Sequence, residues 1–265
     1  MISAPVLPSG FDDGDGTLNQ QMPMKAATAA LLRALLARDD LSAEEQRVVE
    51  GLPEKTKNFR RGAQIASAGS EPGVSIIIVD GIVGREVNSP SGKRKLTGLH
   101  IAGDFVDLHS YLLKVLDHGL IALAPCTLAY VPHRNLQAAF ESSQHLTRMF
   151  WLTTVIDGAV QRAAASRYGI EDAPARICHL FCDLMIRSEI AGVANGKSFP
   201  LPITQQVLGE LVGISTVHAN RSLQALRAAG LVEWRSGTVI VPDFTKLASR
   251  ANFDPGYLSL VKRPR

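Results

Sequence analysis

Between Thr204 and Gly230 the apolar residues fall at helical spacing twice, with a break between the two runs. Val207, Leu208 and Leu211 recur three and four apart behind Thr204, whose hydroxyl suits a helix start, so the pattern predicts a short amphipathic helix ending near Val212. Gly213 interrupts it. Ser215 offers a second cap, and beyond it Val217, Leu223, Leu226 and Ala229 form an apolar stripe while Thr216, Asn220, Arg221, Gln224 and Arg227 are polar. Two short helices joined by a glycine-containing turn of about four residues make a helix-turn-helix. A helical hairpin packed in a core has the same pattern, and the next segment separates the two readings. Leu231-Val-Glu-Trp-Arg-Ser-Gly-Thr-Val-Ile-Val alternates around Ser236-Gly237 as a two-stranded hairpin does, and a helix-turn-helix followed by a hairpin is a winged helix.

Upstream the periodicity changes three times. Residues 1–25 are rich in Gly, Asp, Pro and Ser without a repeat and read as a flexible lead-in. Residues 26–36 are helical by composition, and Ser42-Ala-Glu-Glu45 is a capping box opening a second short helix. From about 56 to 132, β-rich runs at 74–79, 81–87, 95–101, 120–124 and 128–131 are punctuated by glycine, which predicts a compact barrel or roll. Helical spacing then returns, with Leu146, Met149, Phe150, Leu152, Thr153, Ile156, Val160 and Ala163 on one run from 144 to 167. That stripe is broader than one domain needs, so it predicts pairing with the same helix of a second copy. A joint falls at 167–174, where Tyr168-Gly169 precedes Pro174 and a fresh helix opens near Ala175. The expected organisation is α+β: lead-in 1–25, roll 26–143, dimerisation helix 144–168 and winged helix 169–265.

Charge sharpens this division. From Lys197 onward there are nine Lys and Arg against four Asp and Glu, although the whole chain carries only +3. The basic portion coincides with the winged helix, as contacts to nucleic-acid phosphates require. No apolar run reaches membrane-spanning length, and the start lacks a basic stretch followed by a hydrophobic block, so a cytoplasmic protein without membrane contact is expected. Three cysteines do not make a disulfide framework. Cys178 and Cys182 stand one helical turn apart, a spacing open to metal sharing or oxidation, but Leu180, Phe181, Leu184 and Met185 around them favour core thiols over either. Cys178 and His179 point about 100° apart, and no G-x-S-x-G, H-E-x-x-H or Walker loop is present, so no enzyme, catalytic residue or metal ligand is assigned.

Three motifs carry a resemblance: Gly62-Ala-Gln-Ile65-Ala-Ser-Ala-Gly69, Ile101-Ala-Gly-Asp-Phe105, and I-T-Q-Q-x-L-G-x-L-x-G-x-S-x-x-x-x-x-R-x-L-x-x-L from Ile203. Together with the long helix they resemble the Crp/Fnr superfamily of transcription factors over roughly residues 26–245. The resemblance implies a jelly-roll sensor of the cyclic-nucleotide-binding kind and a homodimer joined through its long helices. It implies a palindromic operator in double-stranded DNA, read by one recognition helix per half-site, with RNA polymerase as a further partner. Its DNA-facing positions fall on Ser215, Thr216, Val217, His218 and Arg221, with Gln205 and Gln206 near the backbone and Asn220 beside the groove. Arg221 stands where the family's guanine-reading arginine stands, and a bidentate contact to O6 and N7 fits its geometry. Thr216 and Val217 depart from the usual residues, which implies a different operator; Val217 is suited to a thymine methyl.

The sensor motif is incomplete. Cyclic-nucleotide-binding relatives hold the ribose with a glycine-acidic pair and the phosphate with an Arg-Ser pair a little over ten residues on. Gly103-Asp104 fits the first with a shorter acid, but no arginine lies between Phe105 and Ala124, and Asp117-His118-Gly119 occupies the second place. A phosphate buried without a fixed cation is strongly disfavoured, so cAMP is not the expected ligand and no cofactor is assigned. An unknown effector in the same hollow would meet Gly103, Asp104, Asp107, His109 and His118. An iron-sulfur sensor needs N-terminal cysteines, and none precedes Cys126; haem ligation by His100, His109 or His118 has no motif behind it. The sequence therefore reads as a dimeric DNA-binding regulator, the alternative being a ligand receptor whose winged helix docks a protein.

Overall fold

The computed structural model describes residues 17–18, 24–88 and 94–264. Thr17–Leu18 forms a short strand, β1, pairing with Asn58 and Lys57. The rest of the expected lead-in, up to the helix start at Met24, lies outside the described residues. Helices α1 (Met24–Ala27), α2 (Ala29–Leu36) and α3 (Ala43–Glu50) follow. The capping box of α3 is closed on both sides: Ser42 Oγ accepts from Glu45 N at 3.1 Å, and Glu45 Oε2 accepts from Ser42 N at 2.9 Å.

The roll comprises β2 (Lys55–Phe59), β3 (Gln64–Ala66), β4 (Val74–Asp80), β5 (Val83–Asn88), β6 (Arg94–His100), α4 (Ser110–Leu113), β7 (Gly119–Ala122) and β8 (Cys126–Pro132). Two four-stranded antiparallel sheets, ordered β1-β2-β8-β4 and β3-β7-β5-β6, enclose Ile76, Ile78, Val83, Leu120 and Leu128. Strands β2 and β3 and helix α4 were not foreseen. In β2, Lys-Thr-Lys-Asn-Phe buries only Thr56 and Phe59, too few positions for alternation to register, and β3 is three residues long. Gly81 makes the β4–β5 turn possible: φ is +88°, and a Cβ there would lie 2.2 Å from the Pro125 carbonyl oxygen.

After α5 (His133–Ser142) the chain straightens at Ser143, whose hydroxyl caps α6 (Gln144–Ala165) through Leu146 N at 3.1 Å. One face of α6 buries Leu146, Met149 and Phe150 against Leu31 and Leu35 of α2. Its outer face shows Trp151 at 70% exposure and Val155 at 49%.

Helix α7 (Ala173–Ala191) begins two residues earlier than the spacing suggested. Asp172 caps it through Ala175 N at 2.8 Å, and Pro174 needs no donor in a first turn. Then come β9 (Ser198–Pro200), α8 (Gln205–Val212), α9 (Thr216–Ala228), β10 (Glu233–Arg235), β11 (Thr238–Ile240), α10 (Phe244–Ala251) and a 3₁₀ turn, Pro255–Leu258. The wing turns at Ser236 and Gly237, both at positive φ, and gains β9 as a third strand in the order β10-β11-β9. Phe181 of α7 sets its edge against Phe199 and Trp234 at 6.2 and 6.3 Å between ring centroids, beside buried Leu208, Leu226 and Val239. Each such side chain contributes about 1.5–3 kcal/mol by leaving water, which fixes α8 and α9 on α7.

Candidate nucleic-acid interface and effector hollow

Three local devices set α8 against α9. Thr204 Oγ1 accepts from Val207 N at 3.2 Å, Gly213 ends α8 at φ +71°, and Ser215 Oγ accepts from His218 N at 3.2 Å. Gly209, the glycine of the L-G-x-L motif, lets α8 touch the turn before α9: a Cβ there would lie 2.7 Å from the Ile214 carbonyl oxygen. Helix α9 buries Ala219, Ser222 and Leu226 and leaves Thr216, Val217, His218, Asn220 and Arg221 outside, Val217 at 71% exposure. The expected apolar stripe therefore loses Val217, which stands on the outer face. Among the described residues Arg221 has no hydrogen-bond or ion-pair partner, whereas Asn220 Nδ2 donates to Gln205 Oε1 at 2.9 Å and Gln206 Nε2 to Glu210 Oε1 at 3.2 Å.

The structure splits the residues expected around an effector into two groups. Gly103 faces α2, and Asp104 faces α7. Gly103, at φ +90°, lies so close to α2 that a Cβ would come within 2.9 Å of the Ala30 carbonyl carbon. Asp104 Oδ2 accepts from Ile101 N at 2.9 Å and pairs with Arg187 of α7, which also binds Asp183 at 2.9 Å. Tyr257 donates to the other Asp183 oxygen at 2.8 Å, so this ionic chain joins roll, α7 and C-terminal turn.

Asp107, His109 and His118 lie instead around Arg85, a cation that sequence reasoning missed. Arg85 faces Gly98 on β6 and Leu120 on β7, and its Nη2 donates to the Val106 carbonyl and to Asp157 of α6, each at 2.9 Å. Gly98 leaves room above it, since a Cβ there would sit 3.3 Å from His100 Nε2 and 3.4 Å from Gln161 Nε2. Among the described residues, the buried atoms Arg85 Nε, His100 Nε2, Asp107 Oδ2, His118 Nε2 and Gln161 Nε2 have no hydrogen-bond partner. The available signal was the charged pair Arg85-Glu86 set between Val83-Gly84 and Val87.

Burial and the Arg85 charge set the protonation of this interior. Burial raises the Asp107 carboxyl to about 7, against the hydrogen bond from Ile76 N at 2.7 Å and the attraction of Arg85. Burial, then Arg85, lowers His118 to about 4 and also lowers His109 and His100, so these imidazoles are neutral at pH 7. Between β6, α6 and α7 lies a cavity of about 80 Å³ lined by His100, Asp104, Asp157, Gln161 and Arg187. Small-molecule pockets usually start near ~300 Å³. Cys178 and Cys182 are fully buried, and burial pushes both thiols up, Cys178 to about 12, so neither offers a thiolate at neutral pH.

Residues 56–143 match the cyclic nucleotide-binding domain family, and residues 175–250 match the Crp-like helix-turn-helix domain family. Together these are the sensor and helix-turn-helix domains of a Crp/Fnr-type regulator. The chain is a Crp/Fnr-type transcription regulator with a helix-turn-helix domain, not an enzyme. The transcriptional activator protein FnrL of Cereibacter sphaeroides is 21% identical over 226 residues, covering 84% of this chain and 89% of that protein. FixK2 from Bradyrhizobium japonicum superposes with a TM-score of 0.65 at 17% identity, over 73% of this chain and 95% of that one. The c-di-GMP responsive global regulator CLP of Xanthomonas campestris gives a TM-score of 0.56 at 21% identity, over 76% and 99%. At these identities the Crp/Fnr-type structures speak for the fold. No helix among the described residues is long and apolar enough to cross a membrane.

Proposed function

We propose that this Crp/Fnr-type regulator binds a palindromic operator in double-stranded DNA as a homodimer, with one α9 in each major groove. The carrying observation is the exposed N-terminal half of α9, where Arg221 is unpartnered and Thr216 and Val217 stand free beside it. Such a helix start, set on a rigid three-helix base, meets base edges with its first residues. Arg221 reads guanine, Val217 packs on a thymine methyl, and Ser215, His218 and the Gln205–Asn220 pair lie toward the backbone. Trp151 and Val155 supply the outward face through which α6 pairs with its counterpart.

The regulator does not respond to cAMP in this reading. His118 stands in the phosphate-gripping place as a neutral imidazole, and Arg85, the buried cation of the hollow, already holds Asp157. Selection of bound fragments from random duplexes tests the reading directly: an inverted repeat with a guanine that loses its preference in Arg221→Ala is expected. Recovery of no enriched sequence would overturn it. Affinity should also fall steeply with salt, as it does when cations displace phosphate counterions, whereas docking onto a protein would give a flat response.

A further inference from the structure

The segment 109–118 leaves the roll and returns to it, and its two ends are brought together. His109 stands at the N-terminus of α4, and His118 directly precedes β7. Their rings lie 5.1 Å apart between centroids. Asp117 Oδ1 is 2.6 Å from His118 Nδ1 and 3.8 Å from His109 Nε2. One ligand-type atom from each of the three residues lies within 4.8 Å of the other two.

We infer that His109, Asp117 and His118 form a binding site for a divalent first-row transition ion, of which Zn²⁺ is the representative, where the 109–118 segment joins the roll. Two imidazole nitrogens and one carboxylate oxygen are the borderline donor set that such ions prefer over Mg²⁺ or Ca²⁺. Ligand bonds of 2.0–2.2 Å in a tetrahedron place donor atoms roughly 3.3 Å apart, between the two separations found here. Asp117, whose side chain is 73% exposed, is free to take up part of the difference. The two histidines are held by the fold.

A hydrogen-bonded array alone accounts for less. His109 makes no side-chain hydrogen bond among the described residues, and 3.8 Å to Asp117 is too long for one. His118 is 3% exposed, and its other ring nitrogen, Nε2, is buried without a partner. Coordination through Nδ1 puts the proton on that Nε2 and makes it a donor. Metal-bound imidazoles commonly donate their second N–H to an acceptor, which would give that buried nitrogen a role. The nearby cation, Arg85, is already paired with Asp157 at 2.9 Å, which lessens its opposition to a dication. Three protein ligands leave a fourth position for water, and the ion ties both ends of a segment that exposes Leu112 and Leu113.

The test uses the full chain stripped of metal by a chelator and then titrated with Zn²⁺ calorimetrically and with Co²⁺ by its visible ligand-field absorption. One ion per chain is expected, with micromolar or tighter affinity. Asp117→Asn, a surface change that leaves the fold intact, should weaken binding roughly tenfold or more, and His109→Ala should weaken it further. Zn²⁺ should also slow proteolysis within 109–118 in the wild type and not in Asp117→Asn. Absence of saturable binding up to millimolar Zn²⁺, or unchanged affinity in both variants, overturns the site. The titration involves no DNA, so its outcome is independent of the operator-binding reading.

Discussion

The outer face of α9 and the interior of the roll are both lined with polar side chains, yet they are polar in opposite ways. On α9 the groups stand in water, Arg221 without a partner and Val217 beside it, on a base of buried Ala219, Ser222 and Leu226. In the roll, Arg85, His100 and Asp107 are buried, and several of their atoms face no partner at all. An unpaired polar atom costs little at the surface and about 1–3 kcal/mol in the interior. The helix face waits for a large external surface, whereas the roll interior is a site whose cost the fold carries in advance.

The largest effect is expected at the outward face of α6, the proposed subunit seam. Trp151→Glu places a charge on the outward face of α6, and operator affinity should fall roughly a hundredfold or more as the two half-sites are no longer engaged together. Sedimentation should then find single chains. Gly209→Val forces a branched side chain onto the Ile214 carbonyl, and overpacking should destabilise the C-terminal unit by about 1–3 kcal/mol, read as a lower urea midpoint together with weaker DNA binding. Arg221→Ala removes a surface side chain that holds nothing in the free protein. Its melting temperature should stay within a degree, while specific affinity drops by about 1–3 kcal/mol at one operator position.

The interior gives smaller effects with a pH signature. Asp107 is raised to about 7 in the folded chain, so it binds a proton there that the unfolded chain has already released, and it costs stability as pH rises from about 4 toward 7. Asp107→Asn keeps an oxygen for Ile76 N and should stabilise the protein by on the order of 1 kcal/mol at pH 8, a gain that vanishes near pH 4. His118 works in the opposite sense. Its folded value of about 4 lies below the ordinary one, so its contribution is complete above about 6.5 and is lost as pH falls toward 4. Smallest of all, saturating cAMP should leave the wild-type melting temperature unchanged, and a dose-dependent rise would refute the reading of the hollow.

The same contrast explains what the sequence disclosed. The helix-turn-helix was legible because its determinants are contiguous: Thr204, Gly213 and Ser215 act on backbone groups within four residues of themselves. The wing was legible in its hairpin but not in β9, which depends on Val239 pairing with Phe199. Arg85 was hidden because its meaning comes from Asp157, seventy-two residues along the chain, and from the space above Gly98. Gly103-Asp104 matched a family pattern in letters, yet their contacts run to Ala30 and to Arg187. Local motifs announce surfaces; interiors are assembled from residues that no window of sequence holds together.

Asp157 and Val155 sit two positions apart on one rod, the carboxylate reaching inward to a cation and the valine turned outward. A helix turns as a unit, so whatever displaces Asp157 from Arg85 is felt at the outer side without any relay through loops. The dependence runs both ways. In the homodimer proposed above, pairing through α6 would bear on how firmly Asp157 is held to Arg85, and a change at Arg85 on how the two copies are held.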